Sequence, residues 1–265
     1  LISIHTEHQH NNYKENIMRK FMTALAALAA FSSSSSVYSD NHQPVIGGVE
    51  TLACNFAEGK NMDDFMKVVR KWDAWASKNF SKEYTGNVLV PHFFNEMRND
   101  FYWVGFSPSL AAQGIVADEW LAKGEALQRE FDAVAPCNAH GQYAWMRVRD
   151  NAESPRQAGF VDFASCDMKP GADSEKLANA DEKMNAFLDK IGNTSGTYRW
   201  FPMQGTNNQG LDFLQLNWAG SLTEKGENAD SFIAAGGLQV RAALYDSLVE
   251  CTGGVTAAFS AAGGS

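Results

Sequence analysis

The sequence predicts an α+β protein built from two tandem domains, each with the element order strand, helix, strand, strand, helix, strand. The first observation is an internal repeat in which identical residues recur 112 positions apart, as in Cys54/Cys166, Gly59/Gly171, Asp100/Asp212, Ser109/Ser221 and Gly124/Gly236. After a two-residue insertion the match resumes, and Cys137 is aligned with Cys251. The second observation is an apolar spacing that alternates between two and about 3.6 residues. A repeat of this length indicates a duplicated domain.

Each element of the first half follows from its own pattern. Residues 49–56 alternate as a half-buried strand, and residues 60–79 carry apolar side chains three and four apart behind the helix cap Asn61. The second strand, 88–94, contains Pro91, which predicts an edge position or a bulge. A third strand is expected at 101–106, a helical stretch at 109–134 broken near Gly114 and Gly124, and a fourth strand at 142–148.

The second half repeats this plan. Its strands are expected at 160–168, 198–203, 211–218 and 255–260, and its helices at 174–191 and 228–249. The order of elements in both halves is that of a ferredoxin-like split βαβ domain. We place the first domain at 49–149, a polar linker at 150–158 and the second domain at 159–265.

The start of the chain has the pattern of a targeting segment. Residues 1–17 are polar and patternless, which we interpret as read-through upstream of a start at Met18. Arg19 and Lys20 then precede an apolar run too short to cross a bilayer, which predicts a signal peptide at 18–39 and a leader at 40–48. The alternative is a membrane anchor or a buried helix. A cleaved signal predicts export to a periplasmic or extracellular location.

The charge of the chain restricts its partners. The formal net charge is −9, and removing residues 1–39 takes away three basic and two acidic side chains, which leaves −10. A chain this acidic, without a basic stripe, is not suited to bind a polyanion. We therefore expect no nucleic acid and no membrane partner after signal cleavage. The sequence leaves the oligomeric state open.

Four cysteines fit an exported protein, because disulfides persist in oxidising compartments. Four cysteines allow three pairings. If each half is a domain, the bridges are Cys54–Cys137 and Cys166–Cys251, and the antiparallel neighbours in a ferredoxin-like sheet bring these positions together. The alternative, a four-thiolate zinc site, lacks the close C-x-x-C pairs that such sites use. We predict no metal site.

Two ferredoxin-like halves in one chain resemble the dimeric α+β barrel superfamily in its fused form. The resemblance covers residues 49–260 and rests on element order and duplication, without a family-specific motif. It implies a pseudo-symmetric barrel in which the two sheets face each other and helices cover the outside. It also implies a site either between sheet and helices or within the barrel.

Comparison of the two halves assigns faces to the strands. Tyr102, Val104 and Phe106 have apolar counterparts in the second half, which predicts that this face of the third strand lies under the helices. The opposite face carries more polar residues, and we expect it to be the wetter lining. Candidate ligand-binding residues on it are Asn55, Trp103, Asp167, Gln215 and Asn217. The alternative is that this face is barrel core or an interface between the halves.

Histidines and strand tryptophans supply the remaining candidates. His92 follows Pro91 on the second strand and is the candidate catalytic base, since histidine titrates near neutral pH. His140, Trp145 and Trp200 are candidate ligand-binding residues, because small-molecule sites are largely apolar with a few polar groups. Ordinary surface or core roles are the alternative for each.

Three functions remain compatible with these observations. The first is an exported protein that binds a small, partly apolar molecule in or beside the barrel. The second is an enzyme resembling the cofactor-independent antibiotic-biosynthesis monooxygenases of the superfamily, and the third is a structural or interaction scaffold, which a barrel filled by side chains would favour. No cofactor is expected. Haem-degrading relatives take the haem iron with a helical histidine, and no predicted helix here contains one. The sequence leaves open whether the protein is an enzyme.

Overall fold

The computed structural model describes residues 46–96, 98–150, 157–206 and 211–264. The first half contains β1 (Ile46–Cys54), α1 (Met62–Asn79), β2 (Thr85–Phe93), β3 (Phe101–Ser107), α2 (Leu110–Lys123), α3 (Glu125–Val134) and β4 (Cys137–Arg149). The second half contains β5 (Ala158–Met168), α4 (Ser174–Lys190), β6 (Gly196–Gln204), β7 (Phe213–Ala219), α5 (Leu222–Ala234), α6 (Gly237–Tyr245) and β8 (Val249–Gly264). The predicted read-through, the signal peptide and most of the leader and linker lie outside the described residues.

The eight strands close into one antiparallel barrel in the order β1-β3-β2-β8-β5-β7-β6-β4. Within each half the order is that of a ferredoxin-like sheet, β4-β1-β3-β2 and β8-β5-β7-β6. The long strands β4 and β8 extend past their own sheets and pair with β6 and β2 of the other half. The predicted tandem ferredoxin-like fold and its pseudo-symmetric barrel are therefore confirmed.

Local sequence signals explain where the helices start and break. The side chains of Asn61 and Asp173 cap α1 and α4 by accepting backbone N–H bonds. The predicted break at Gly124 separates α2 from α3, whereas Gly114 lies inside α2. Pro91 lies at a register shift between β2 and β8, beyond the end of the β2–β3 pairing, so the predicted bulge is present.

Both predicted disulfides are present. Cys54 is bonded to Cys137 across β1 and β4, and Cys166 to Cys251 across β5 and β8, with Cα–Cα distances of 3.9 and 4.0 Å. β4 and β8 begin at or before these cysteines, several residues earlier than predicted, and β1 begins at Ile46 rather than at residue 49. Each bridge ties the first strand of a half to its last strand.

The predicted assignment of strand faces is wrong. Tyr102, Val104 and Phe106 point into the barrel, where they pack with buried Val49 and Trp200. The other face of β3 is the one covered by helices. Alternation alone could not separate these faces, because one is buried by the opposite sheet and the other by helices, and both are therefore apolar.

The barrel lumen is filled by side chains. Trp200 is 3 % exposed, and its ring centroid lies 5.7–5.8 Å from those of Phe106, Tyr143 and Phe163. Trp145 packs against the same cluster. Trp145 and Trp200, predicted as ligand-binding residues, thus lie in the lumen packing. None of the described helices is long and apolar enough to cross a membrane.

Candidate functional site

A cavity of about 610 Å³ lies in the second half, between the outer face of the sheet and helices α4–α6. This volume is in the range of small-molecule sites. Strands β5, β6 and β7 supply its floor, with Asp162, Arg199, Phe213, Gln215 and Asn217. The helices supply its roof, with Asp181, Met184, Leu188, Lys225, Phe232 and Tyr245.

A buried ion pair lies on this lining. Arg199 of β6 and Asp181 of α4 are 3 % and 7 % exposed and form a two-pronged pair, with Nη1–Oδ2 and Nη2–Oδ1 distances of 2.5 and 2.7 Å. Arg199 Nε donates to Gln215 Oε1 at 3.0 Å, and its guanidinium carbon lies 5.0 Å from the Phe213 ring centroid. Such a pair is tolerated in a buried position because both partners are hydrogen-bonded.

Tyr245 of α6 completes this group. Its hydroxyl donates to Asp181 Oδ1 at 2.8 Å. Burial, and then the neighbouring Asp181 carboxylate, raise the pKa of Tyr245, so the phenol keeps its proton. Tyr245 therefore acts as a hydrogen-bond donor to Asp181.

A second ion pair joins the helices to the floor. Lys225 of α5 pairs with Asp162 of β5, and Thr256 of β8 donates to the same carboxylate at 2.5 Å. Arg149 fixes the neighbouring wall, because its guanidinium donates to the backbone oxygens of Asn185, Asn193 and Ser195 at 2.8–3.3 Å. The last residue of β4 thereby holds α4 and the loop that follows it.

The same layer in the first half is solid. Trp72 and Trp103 pack with ring centroids 4.8 Å apart, and Phe65 and Phe131 with centroids 5.5 Å apart. Gly105 leaves room for Tyr84, since a Cβ there would come within 1.8 Å of the Tyr84 hydroxyl. In the first half, the layer between the sheet and its helices is therefore a packed hydrophobic core.

Repeat alignment and strand register show which residues make the difference. Val88 faces Trp103 across β2 and β3, as Arg199 faces Gln215 across β6 and β7. The first-half residues and their second-half counterparts are Val69/Asp181, Trp72/Met184, Val88/Arg199, Trp103/Gln215, Gly105/Asn217, Gln113/Lys225 and Phe131/Tyr245. Most of these positions are apolar or aromatic in the first half and polar or smaller in the second half, where the cavity lies.

The predicted ligand-binding residues on the third strands do not share one site. Gln215 and Asn217 line the cavity, whereas Trp103 lies in the aromatic core of the first half. Asn55 follows β1 and accepts the backbone N–H of Asp100 at 3.2 Å. Asp167 lies on β5 opposite Glu250 and does not line the cavity. Trp103, Gln215 and Asn217 share the helix-covered face, whereas Asn55 and Asp167 do not lie in its packing or cavity, so the five residues do not form one lining.

The two histidines among the described residues lie elsewhere. His92 is exposed on β2, with its ring centroid 4.6 Å from that of Phe93 and 5.2 Å from that of Phe160. His140 Nε2 is 2.8 Å from Glu50 Oε2, and Tyr84 donates to the other oxygen of Glu50 at 2.6 Å. Neither histidine lines the cavity. The proposed catalytic role of His92 stays a prediction.

The His140–Glu50 contact predicts a pH-dependent contribution to stability. The hydrogen bond to Glu50 raises the pKa of His140, against a smaller opposing effect of burial. The contact therefore stabilises the fold below the ordinary histidine pKa of about 6.5 and loses this contribution as pH rises through the raised value. We expect His140→Gln to lower the free energy of unfolding by at most about 1 kcal/mol near pH 5.5, since His140 is largely exposed, and by less near pH 8.5.

Urea denaturation at both pH values measures this difference. His92→Gln is the matched control, because His92 forms no ion pair within the described ranges. An effect of His140→Gln that grows with pH would contradict the proposed sign.

Sequence reasoning missed the residues at the centre of the cavity, Asp162, Asp181, Arg199, Lys225 and Tyr245. A signal for two of them was available. Asp181 replaces Val69 on the buried face of a repeated helix, and Arg199 replaces Val88 on a repeated strand. A charge at a position that is apolar in the other half indicates a local departure from core packing.

The cavity does not offer the donor set that haem requires. No histidine lines it among the described residues, and Cys251 on its wall is disulfide-bonded. The Tyr245 hydroxyl keeps its proton and donates a hydrogen bond to Asp181, whereas a tyrosine that binds haem iron must lose this proton. Met184 supplies only a thioether. No group of three potential metal ligands occurs in the described part of the chain.

Solved structures of low sequence identity share this fold. A chlorite dismutase from Candidatus Nitrospira defluvii in complex with imidazole matches with a TM-score of 0.52 and 8% identity, over 83% of this chain and 92% of that one. A protein provisionally assigned as a monooxygenase from Fusobacterium nucleatum matches at 0.51 and 10%, over 82% and 91%. Another such protein, from Lactobacillus acidophilus, matches at 0.50 and 9%, over 83% and 95%.

These structures confirm that the chain has the dimeric α+β barrel fold. At this level of identity the similarity extends to the fold alone. No protein-family model matches the sequence, and no curated protein sequence matches it.

Proposed function

We propose that this protein is exported and binds a small, partly apolar molecule in the cavity of its second half, beside the barrel. The contrast between the two halves carries this proposal. One duplicated layer is packed with aromatic rings, and the other is opened around a hydrogen-bonded ion pair. A cavity and a buried charge both lower the stability of the fold, and a purely structural scaffold does not require either of them.

The lumen would by itself favour a scaffold, because side chains pack across it. The cavity lies on the other side of the sheet, and therefore offers a site that the lumen does not. The two disulfides support export, since they persist in oxidising compartments.

The alternative function, an enzyme, can be tested separately. Two of the structures that share the fold are provisionally assigned as monooxygenases. His92, the proposed base, is exposed and outside the cavity. His92→Ala should therefore leave binding in the cavity unchanged, and loss of a measured turnover in this variant, with folding intact, would favour the enzyme.

Native mass spectrometry of the protein purified from its own host tests the binding function. We expect a stoichiometric small molecule that is released on denaturation. Met184→Trp should remove it, because the equivalent Trp72 fills this layer in the first half. Leu121→Trp is the control, since it adds the same ring at a position that is 79% exposed on α2.

Retention of the molecule in Met184→Trp would place it outside the cavity. Wild-type protein that is empty and binds none of 2-acetylnaphthalene, 2-naphthoate and 2-ethylnaphthalene would reject the proposed function.

A further inference from the structure

The charges that line the cavity are balanced. Both oxygens of Asp181 bind Arg199, and Lys225 pairs with Asp162. Two further charged side chains, Arg241 and Asp246, line the exposed mouth and carry opposite charges. The Arg199 guanidinium therefore brings N–H donors to the lining, while Asp181 compensates its positive charge.

The hydrogen-bonding groups left over around Arg199 are donors. A guanidinium has five N–H groups. Three of them bind Gln215 and Asp181, and the other two have no acceptor in the part of the chain that the structure describes. The amide NH₂ of Gln215 does not bond to Arg199, because Gln215 Oε1 accepts that bond, and this NH₂ group has no acceptor among the described residues.

Most acceptor sites of the same group are occupied, because Asp181 already accepts three hydrogen bonds. Asp181 Oδ1 accepts from both Arg199 and Tyr245, at 2.7 and 2.8 Å. Met184, Leu188, Phe213 and Phe232 supply an apolar part of the lining, and Asn185, Asn193 and Asn228 line other parts. A ligand therefore meets open donors beside an apolar surface.

We infer that the cavity selects an uncharged molecule with an apolar body that presents a carbonyl-type oxygen to Arg199 and Gln215. This inference rests on the proposed function. A carbonyl oxygen accepts two hydrogen bonds without bringing a charge into the site. A carboxylate would lose its hydration beside Asp181, where the charge of Arg199 is already compensated, so the desolvation cost of the carboxylate is not offset.

Three probes of one shape test this selectivity by titration calorimetry: 2-acetylnaphthalene, 2-naphthoate and 2-ethylnaphthalene. We expect the ketone to bind wild-type protein at least about tenfold more tightly than either of the others. Equal or tighter binding of 2-naphthoate would overturn the inference and leave the proposed function intact. Failure of all three probes, together with an empty native protein, would reject both.

Two variants identify the residues responsible. Asp181→Asn removes the compensating charge, and we expect 2-naphthoate to gain at least about tenfold relative to the ketone. Arg199→Val combined with Asp181→Val copies the first-half residues Val88 and Val69, and should abolish the preference for the ketone over 2-ethylnaphthalene.

The double variant serves if Asp181→Asn does not fold. Glu182→Ala, at the exposed neighbour of Asp181 on α4, is the control and should keep the wild-type order of probes. An unchanged order in the double variant would overturn the assignment to Arg199 and Asp181.

Discussion

Asp181→Ala is expected to lower the free energy of unfolding by about 3–5 kcal/mol, because it leaves Arg199 buried without a counter-charge. Arg199 is 3 % exposed, and Asp181 accepts a hydrogen bond from each of its two Nη atoms. Tyr245 loses its acceptor in the same variant. Urea denaturation at neutral pH measures the loss.

The control for this prediction is Glu182→Ala on the exposed side of α4, which should change the free energy of unfolding by no more than about 0.5 kcal/mol. The double variant Arg199→Val, Asp181→Val should recover most of the stability lost in Asp181→Ala. Replacing a buried pair by apolar side chains removes both desolvation costs, whereas breaking it leaves one uncompensated. A loss below about 1 kcal/mol in Asp181→Ala would show that water reaches Arg199 freely.

Removal of either disulfide is expected to cost about 4 kcal/mol, since each bridge closes a loop of more than 80 residues. The cost comes chiefly from the greater freedom of the unfolded chain. Cys54→Ala with Cys137→Ala, and Cys166→Ala with Cys251→Ala, test the two bridges separately by urea denaturation.

The dependence of unfolding free energy on urea concentration provides a second readout. It should become steeper in both double variants, because an unfolded chain without the bridge is less compact and exposes more surface. Wild-type protein unfolded under reducing conditions is the control for both variants. An unchanged midpoint in either variant would show that its bridge does not constrain the unfolded chain.

The architecture could be predicted because the sequence contains the same domain pattern twice. The repeat defined the element order, and the two orders together selected the ferredoxin-like sheet and paired Cys54 with Cys137. Pro91 predicted its bulge, and Gly124 its helix break, from local backbone chemistry alone. These features depend on residues that are near in sequence or related by the repeat.

The functional faces could not be predicted in this way. Gln215 and Asn217 line a cavity, but the face that carries them lies under the helices and not, as predicted, on the side away from them. In an open sheet, polarity distinguishes solvent from core. In this closed barrel both faces are covered, so alternation identifies two sides without saying which cover lies on each.

The sequence by itself determined the duplicated fold, its strand order and its two bridges, because these follow from periodicity and internal repetition. Only the tertiary structure decided that Arg199 and Asp181 form a buried pair on the lining of a cavity. Each is an ordinary charged residue on its own strand or helix. Their roles depend on packing between β6 and α4, which brings the two charges together on the lining of the cavity.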